Sequence, residues 1–152
     1  MKIVIGLGNP GPEYDSTRHN VGWWVLDRLA HDWGFGSFEK DGRSLRVEGV
    51  VGDVSTLLLK PTTFMNRSGS ALVGLRDLQG FDVTSDLLVG VDDTALDPGR
   101  VRFRPGGGAG GHKGLRSVSA SLATHSYARL RVGVGQVPRR EDLSEWVLSP
   151  VG

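Results

Sequence analysis

The sequence predicts an α/β protein: a single-domain, three-layer α/β/α sandwich around a mixed, mainly parallel β-sheet. Three observations predict it. Short β-branched apolar runs alternate in part with amphipathic helical stretches, the order that gives a sheet covered on both faces. The 152 residues, 38% of them apolar, suffice for one core of ordinary domain size, so residues 1–152 are expected to form a single domain. No internal repeat or long linker divides the chain.

The elements follow in order. Residues 2–7 form a β-branched, apolar run that reads as a buried strand ending at a glycine-rich turn. A polar loop leads to Asn20. Over residues 21–33, Val21, Trp24, Val25 and Leu29 recur at helical spacing while Asp27 and Arg28 fall off that stripe, which predicts an amphipathic helix with Asn20 as its cap. Residues 44–51 and 54–60 are β-rich and separated by Gly52-Asp53, a hairpin signal that predicts antiparallel pairing. Residues 68–78 predict a second helix, with Ala71, Leu72, Leu75 and Leu78 on one face and Gly80 near its end. Residues 87–91 predict a buried strand that delivers Asp92 and Asp93 at its carboxyl end. Residues 101–104 alternate apolar and basic side chains, as a strand with one wet, positive face does. The run Gly106-Gly107-Gly108-Ala109-Gly110-Gly111 permits close backbone approach, and residues 115–122 follow as a third helix with Leu115, Val118 and Leu122 inward. Residues 130–134 predict a last strand and residues 142–148 a short final helix.

Composition excludes several classes. No apolar run approaches the roughly 20 residues a membrane span needs, and Met1-Lys2 opens directly on a strand instead of a signal peptide, so a cytoplasmic protein with no membrane partner is expected. Zero cysteines exclude disulfides, thiol catalysis and thiolate metal sites. His19, His31, His112 and His125 show no pair at zinc-site spacing, so no metal is expected. The net charge of +1 conceals segregation: residues 1–99 carry nine basic against fourteen acidic side chains, and residues 141–152 carry three acidic ones. Residues 100–140 carry nine basic ones, among them Arg104, Lys113 and Arg131, and no acid. A block like this reads as a footprint for a polyanion, because each phosphate neutralised releases counterions. The alternative is a set of solvated strand edges and helix faces.

Gly6-Leu7-Gly8-Asn9-Pro10-Gly11 matches the dinucleotide-binding fingerprint, but its context fails. In that fold the third glycine opens the helix that holds the pyrophosphate. Here helical periodicity begins only after Asn20, and the acidic residue about 20 positions on would be Asp27, inside the helix. No redox cofactor is expected.

Asn9-Pro10-Gly11 with Tyr14, then Thr17-Arg18-His19-Asn20-Val21-Gly22, Lys60-Pro61-Thr62-Thr63-Phe64-Met65-Asn66 with Ser68-Gly69, Asp92-Asp93, and Gly110-Gly111-His112 occur in this order. Together they resemble the bacterial peptidyl-tRNA hydrolase family, from Met1 to about Leu148. The resemblance implies an enzyme, free of cofactor, that cleaves the ester joining a peptide to the 3′ end of tRNA and returns the tRNA to translation. It implies His19 as base, Asp92 as its partner and Asn9 and Asn66 as site amides, with Tyr14, Phe64, Met65, His112, Lys113, Arg104 and Arg131 toward substrate and tRNA.

The residue types suit that chemistry. An imidazole with an ordinary pKa near ~6.5 can deprotonate water near neutral pH. A carboxylate on its far nitrogen fixes the tautomer and stabilises the imidazolium, so no serine nucleophile is needed. Side-chain amides can hold the carbonyl oxygen or the water. Each residue also has a purely local reading: Asn9 before Pro10 as a turn residue, Asn66 as a helix cap, Asp92 and Asp93 as turn residues, His112 as a helix-start residue.

Three features differ from the usual family pattern. Lys113 stands where an asparagine is usual, Val91 replaces a histidine before the acidic pair, and the chain is expected to lack a C-terminal helical extension. Lysine cannot accept a hydrogen bond, though it can grip a tRNA phosphate. These differences motivate an alternative, an RNA-binding module of impaired chemistry on the same fold, similar to the chloroplast group II intron splicing facilitator. A monomer is expected.

Overall fold

A computed structural model describes residues 1–8, 20–63, 65–72, 74–93, 96–97 and 100–133, with the side chains of residues 66, 70, 71 and 76 outside the description. Seven strands form one sheet: β1 (Lys2–Gly6), β2 (Glu39–Asp41), β3 (Ser44–Val51), β4 (Val54–Pro61), β5 (Leu87–Asp93), β6 (Val101–Arg104) and β7 (Ala128–Gly133), in the order β2-β3-β4-β1-β5-β7-β6. The four central strands β4-β1-β5-β7 run parallel, with antiparallel strands at both margins. The helices are α1 (Val21–Asp32), α2 (Val83–Asp86) and α3 (Lys113–Leu122).

Alternation along the strands builds the three layers. Ile3 and Ile5 of β1 face a core with Leu57, Leu87 and Val89 that is closed by Leu72, Leu115, Val118 and Leu122. Val4, between them, faces the opposite core with Leu58, Leu88 and Leu130, closed by Val21, Val25, Leu26 and Leu29 of α1. Successive residues of a strand point to opposite faces, so a strand covered on both sides must be apolar throughout. The apolar runs of β1 and β5 meet that demand.

The structure also departs from the sequence reading. Asn20 holds the N-cap position of α1, but its side chain makes no capping bond. It is buried and turned toward Gly8, where a Cβ would lie 2.9 Å from its Oδ1. The expected second helix is instead two 3-10 segments, Met65–Leu72 and Leu75–Asp77. Glycine accounts for the break: Gly74 sits at φ 88°, and Gly69 presses on α3 so closely that a Cβ would lie 2.1 Å from the Ser117 carbonyl oxygen. Leu72 and Leu75 are buried as expected, whereas Leu78 is exposed. The short edge strand β2, all of it exposed, has no apolar pattern by which sequence could find it. In β6 the expectation of one wet face fails, since all four residues are exposed. β6 is the outermost strand, and Val101 and Phe103 remain open to solvent. The expected final helix over residues 142–148 lies outside the described residues.

Candidate active site

The connections of the sheet reverse at β1, which has β4 on one side and β5 on the other. A reversal of this kind leaves a crevice beyond the carboxyl ends of the parallel strands, where α/β proteins bind ligands. The Leu7 N–H donates to the Gly90 carbonyl at 3.0 Å, so β1 and β5 stay joined up to that rim. Asp92 and Asp93 end β5 there.

His112 meets Asp92 at this rim. His112 is the N-cap of α3, and its Nδ1 accepts the Leu115 N–H at 3.2 Å. Its Nε2 lies 2.7 Å from Asp92 Oδ1, with the two side chains only 8% and 3% exposed. A nitrogen that accepts carries no proton, so these bonds assign the neutral Nε2–H tautomer, donating to the carboxylate. The cap at one nitrogen therefore orients the bond at the other. The family resemblance assigns Asp92 to His19, while His112 reads either as a helix-start residue or as a substrate-side one; the structure makes it the helix-start residue and the holder of Asp92.

Met65, 6% exposed, lines the ground beneath this pair. A Cβ on Gly114 would lie 2.6 Å from Met65 Sδ, 2.8 Å from Leu7 Cδ1 and 2.9 Å from His112 Cε1, so β1, the 3-10 segment and α3 converge there. Asn9, Tyr14, His19 and Phe64 lie outside the described residues, as does the side chain of Asn66. Lys113 and Arg116 are exposed in the first turn of α3.

Beside the pair, the antiparallel register of β6 and β7 sets Arg102 opposite Arg131 and Arg104 opposite Arg129. Directly opposed residues share a face, and like charges so placed destabilise a sheet. These four arginines, with Asp93 and Gly106, Gly107, Gly108 and Gly110, line a cavity of about 400 Å³. Arg102 and Arg104 are exposed. Arg131 is 15% exposed, with Nη1 3.7 Å from Asp93 Oδ2 and Nη2 donating to the Ala109 carbonyl at 3.1 Å. Arg131 therefore braces the glycine run as well as lining the cavity. Arg129 corrects the reading of the basic block as a wholly solvated or ligand-facing surface, because it is buried to 1% exposure. Burial pushes its guanidinium pKa down and that of the neighbouring Tyr127 phenol up. Two R-x-R triplets, Arg102-Phe103-Arg104 and Arg129-Leu130-Arg131, were the signal for this ladder, but only the register shows that they face one another.

Among the described residues, no three His, Asp or Glu side chains gather as a metal site requires, and no helix is long and apolar enough to cross a membrane.

The comparisons with known proteins agree with one another. A family model described as peptidyl-tRNA hydrolase matches residues 3–152. The chain is 46% identical over 151 residues to a peptidyl-tRNA hydrolase of Gemmatimonas aurantiaca, covering 97% of this chain and 80% of that protein. It is likewise 46% identical over 150 residues to one from Rhodococcus opacus, covering 97% and 78%. In structure it is similar to the crystallised peptidyl-tRNA hydrolase of Acinetobacter baumannii, with a TM-score of 0.81 at 34% identity over 98% of this chain and 76% of that one. With the matched fold, a family model spanning almost every residue and relatives well above 30% identity, the chain belongs to the peptidyl-tRNA hydrolase family.

Proposed function

We propose that this protein hydrolyses the ester between a peptide and the 3′ end of tRNA, with His19 as the base that activates water. One observation carries the reading: the family match extends over residues 3–152, the whole span from which the site is drawn. His19 takes a proton from water as the oxygen attacks the ester carbonyl carbon. The tetrahedral intermediate then expels the ribose 3′-oxygen, which receives the proton from the imidazolium. Asp92 stabilises that imidazolium from the far ring nitrogen, and the bond from His112 to Asp92 Oδ1 keeps the carboxylate oriented for it. Asn9 and Asn66 donate to the carbonyl oxygen or place the water; one such donor is typically worth about 10²-fold in rate.

Tyr14, Phe64 and Met65 contact the substrate near the ester, and His112 and Lys113 take part in binding substrate and tRNA. Arg104 and Arg131 take a tRNA phosphate. The register supports that assignment, because it sets Arg131 opposite exposed Arg102 and diagonal to exposed Arg104 on one face, where a phosphate relieves their mutual repulsion. The protein works in the cytoplasm as a monomer and requires no cofactor. The test is release of peptide from a purified peptidyl-tRNA. Release at a rate above the spontaneous one is expected; salt-dependent RNA binding with no release would instead select the module of impaired chemistry.

A further inference from the structure

Arg129 is the largest side chain in the fully buried set, and the mechanism above does not use it. Its polar contacts are to carbonyl oxygens: Nη1 donates to Gly108 at 3.0 Å, and Nη2 to His125 at 2.8 Å and Tyr127 at 3.4 Å. Its guanidinium carbon stacks 4.4 Å from the centre of the Tyr127 ring. Among the described residues no carboxylate pairs with it and its Nε has no partner. Burying a cation on these terms is costly, and a leucine or methionine would fill the volume without that cost. Something specific therefore depends on the guanidinium.

The glycine run supplies the reason. Residues 106–108 have no side chains with which to anchor themselves, yet they lead directly into Ala109 and His112. The His125 carbonyl accepts from both Gly107 N–H, at 3.2 Å, and Arg129. Two residues on from Gly107, the Ala109 carbonyl accepts from both His112 N–H, at 3.1 Å, and Arg131. Arg129 and Arg131, two apart on β7, thus hold consecutive carbonyls of the run, and the second of these is tied to His112. Only a planar fork of donors can reach the Gly108 and His125 carbonyls together.

We infer that Arg129 is a positioning residue that, through the Gly108 carbonyl and the segment behind it, sets the placement of His112 against Asp92. Its importance for turnover rests on the proposed hydrolase reading; its effect on His112 does not. The expected behaviour separates this role from general stabilisation. A displaced His112 loses both the bond to Asp92 and the cap on the Leu115 N–H, so the imidazole no longer keeps one tautomer, and misplacement by about 1 Å can cost about 10²-fold in rate.

The experiment compares wild type, Arg129→Lys and Arg129→Met by thermal unfolding, by nitrogen NMR of the His112 ring and by steady-state peptidyl-tRNA cleavage. Arg129→Lys keeps the charge and loses the fork. In wild type the ring should show one protonated nitrogen, Nε2. In both variants, at temperatures where they remain folded, it should show tautomer exchange, with kcat reduced about tenfold or more and KM changed less. A His112 signature unchanged in either folded variant would overturn the proposal, as would a rate loss no larger than the loss of folded protein. If wild type itself cleaves no peptidyl-tRNA, the hydrolase reading fails, and the NMR comparison still decides the positioning role.

Discussion

At the site the decisive question is what Asp92 does with its charge. Asparagine at this position keeps an oxygen that can accept from His112 Nε2–H, so Asp92→Asn should preserve the rim of the sheet. It cannot stabilise a neighbouring imidazolium. We therefore expect turnover in Asp92→Asn to fall by about 10²- to 10⁴-fold while the melting temperature changes little, measured by peptidyl-tRNA cleavage beside thermal unfolding. Lys113 calls for a different measurement. It is exposed next to the capping histidine, and a phosphate contact there shows in salt dependence. Lys113→Asn should weaken tRNA binding and lower the slope of log affinity against log salt by about 1, read from titrations over a range of salt. Sequence shows that Asp92 and His112 are chemically competent. It does not show that they touch, because they come from different elements 20 residues apart, the end of β5 and the N-cap of α3.

Among the elements, α1 shows what sequence conveys well and what it leaves out. Its apolar stripe is legible, since Val21, Val25 and Leu29 recur at helical spacing and all are buried. The closeness of its approach to the sheet is not. A Cβ on Gly22 would lie 2.6 Å from the Leu7 carbonyl oxygen and 2.7 Å from that of Gly90, both backbone atoms that cannot swing aside. Gly22→Ala should therefore push α1 off the strands that carry the site and destabilise the fold by about 1–3 kcal/mol, measured by urea unfolding. The segment after β4 failed as a predicted helix for a related reason. Leu72 and Leu75 have helical spacing, but contact between Gly69 and α3 fixes the local backbone more strongly than periodicity does. The arginines of β6 and β7 were legible as a charge block. Their division into exposed Arg102 and Arg104 and buried Arg129 follows from strand order, which composition does not contain.

For the whole molecule, the buried group with the clearest consequence for pH is Tyr127. It is fully buried, its Oη lies 2.7 Å from Ser119 Oγ, and its phenol pKa is raised by burial. A folded value above the unfolded one means that the native state holds the proton more tightly. The stability this provides is complete below the unfolded value of about 10 and is lost as pH rises through the folded value. Urea midpoints should hold up to about pH 9 and fall from there to about pH 11, with a shallower fall in Tyr127→Phe.

The three-layer sandwich brings the buried Asp92, His112 and the arginines of β6 and β7 to one side of the sheet, beside which the proposed mechanism needs its base. The most direct test is single-turnover cleavage of a peptidyl-tRNA by wild type and His19→Ala under the same conditions. The mechanism predicts rapid release by wild type and loss of about 10²-fold or more in the variant, with tRNA binding retained. Cleavage by His19→Ala at the wild-type rate would contradict the assignment of His19 as the base.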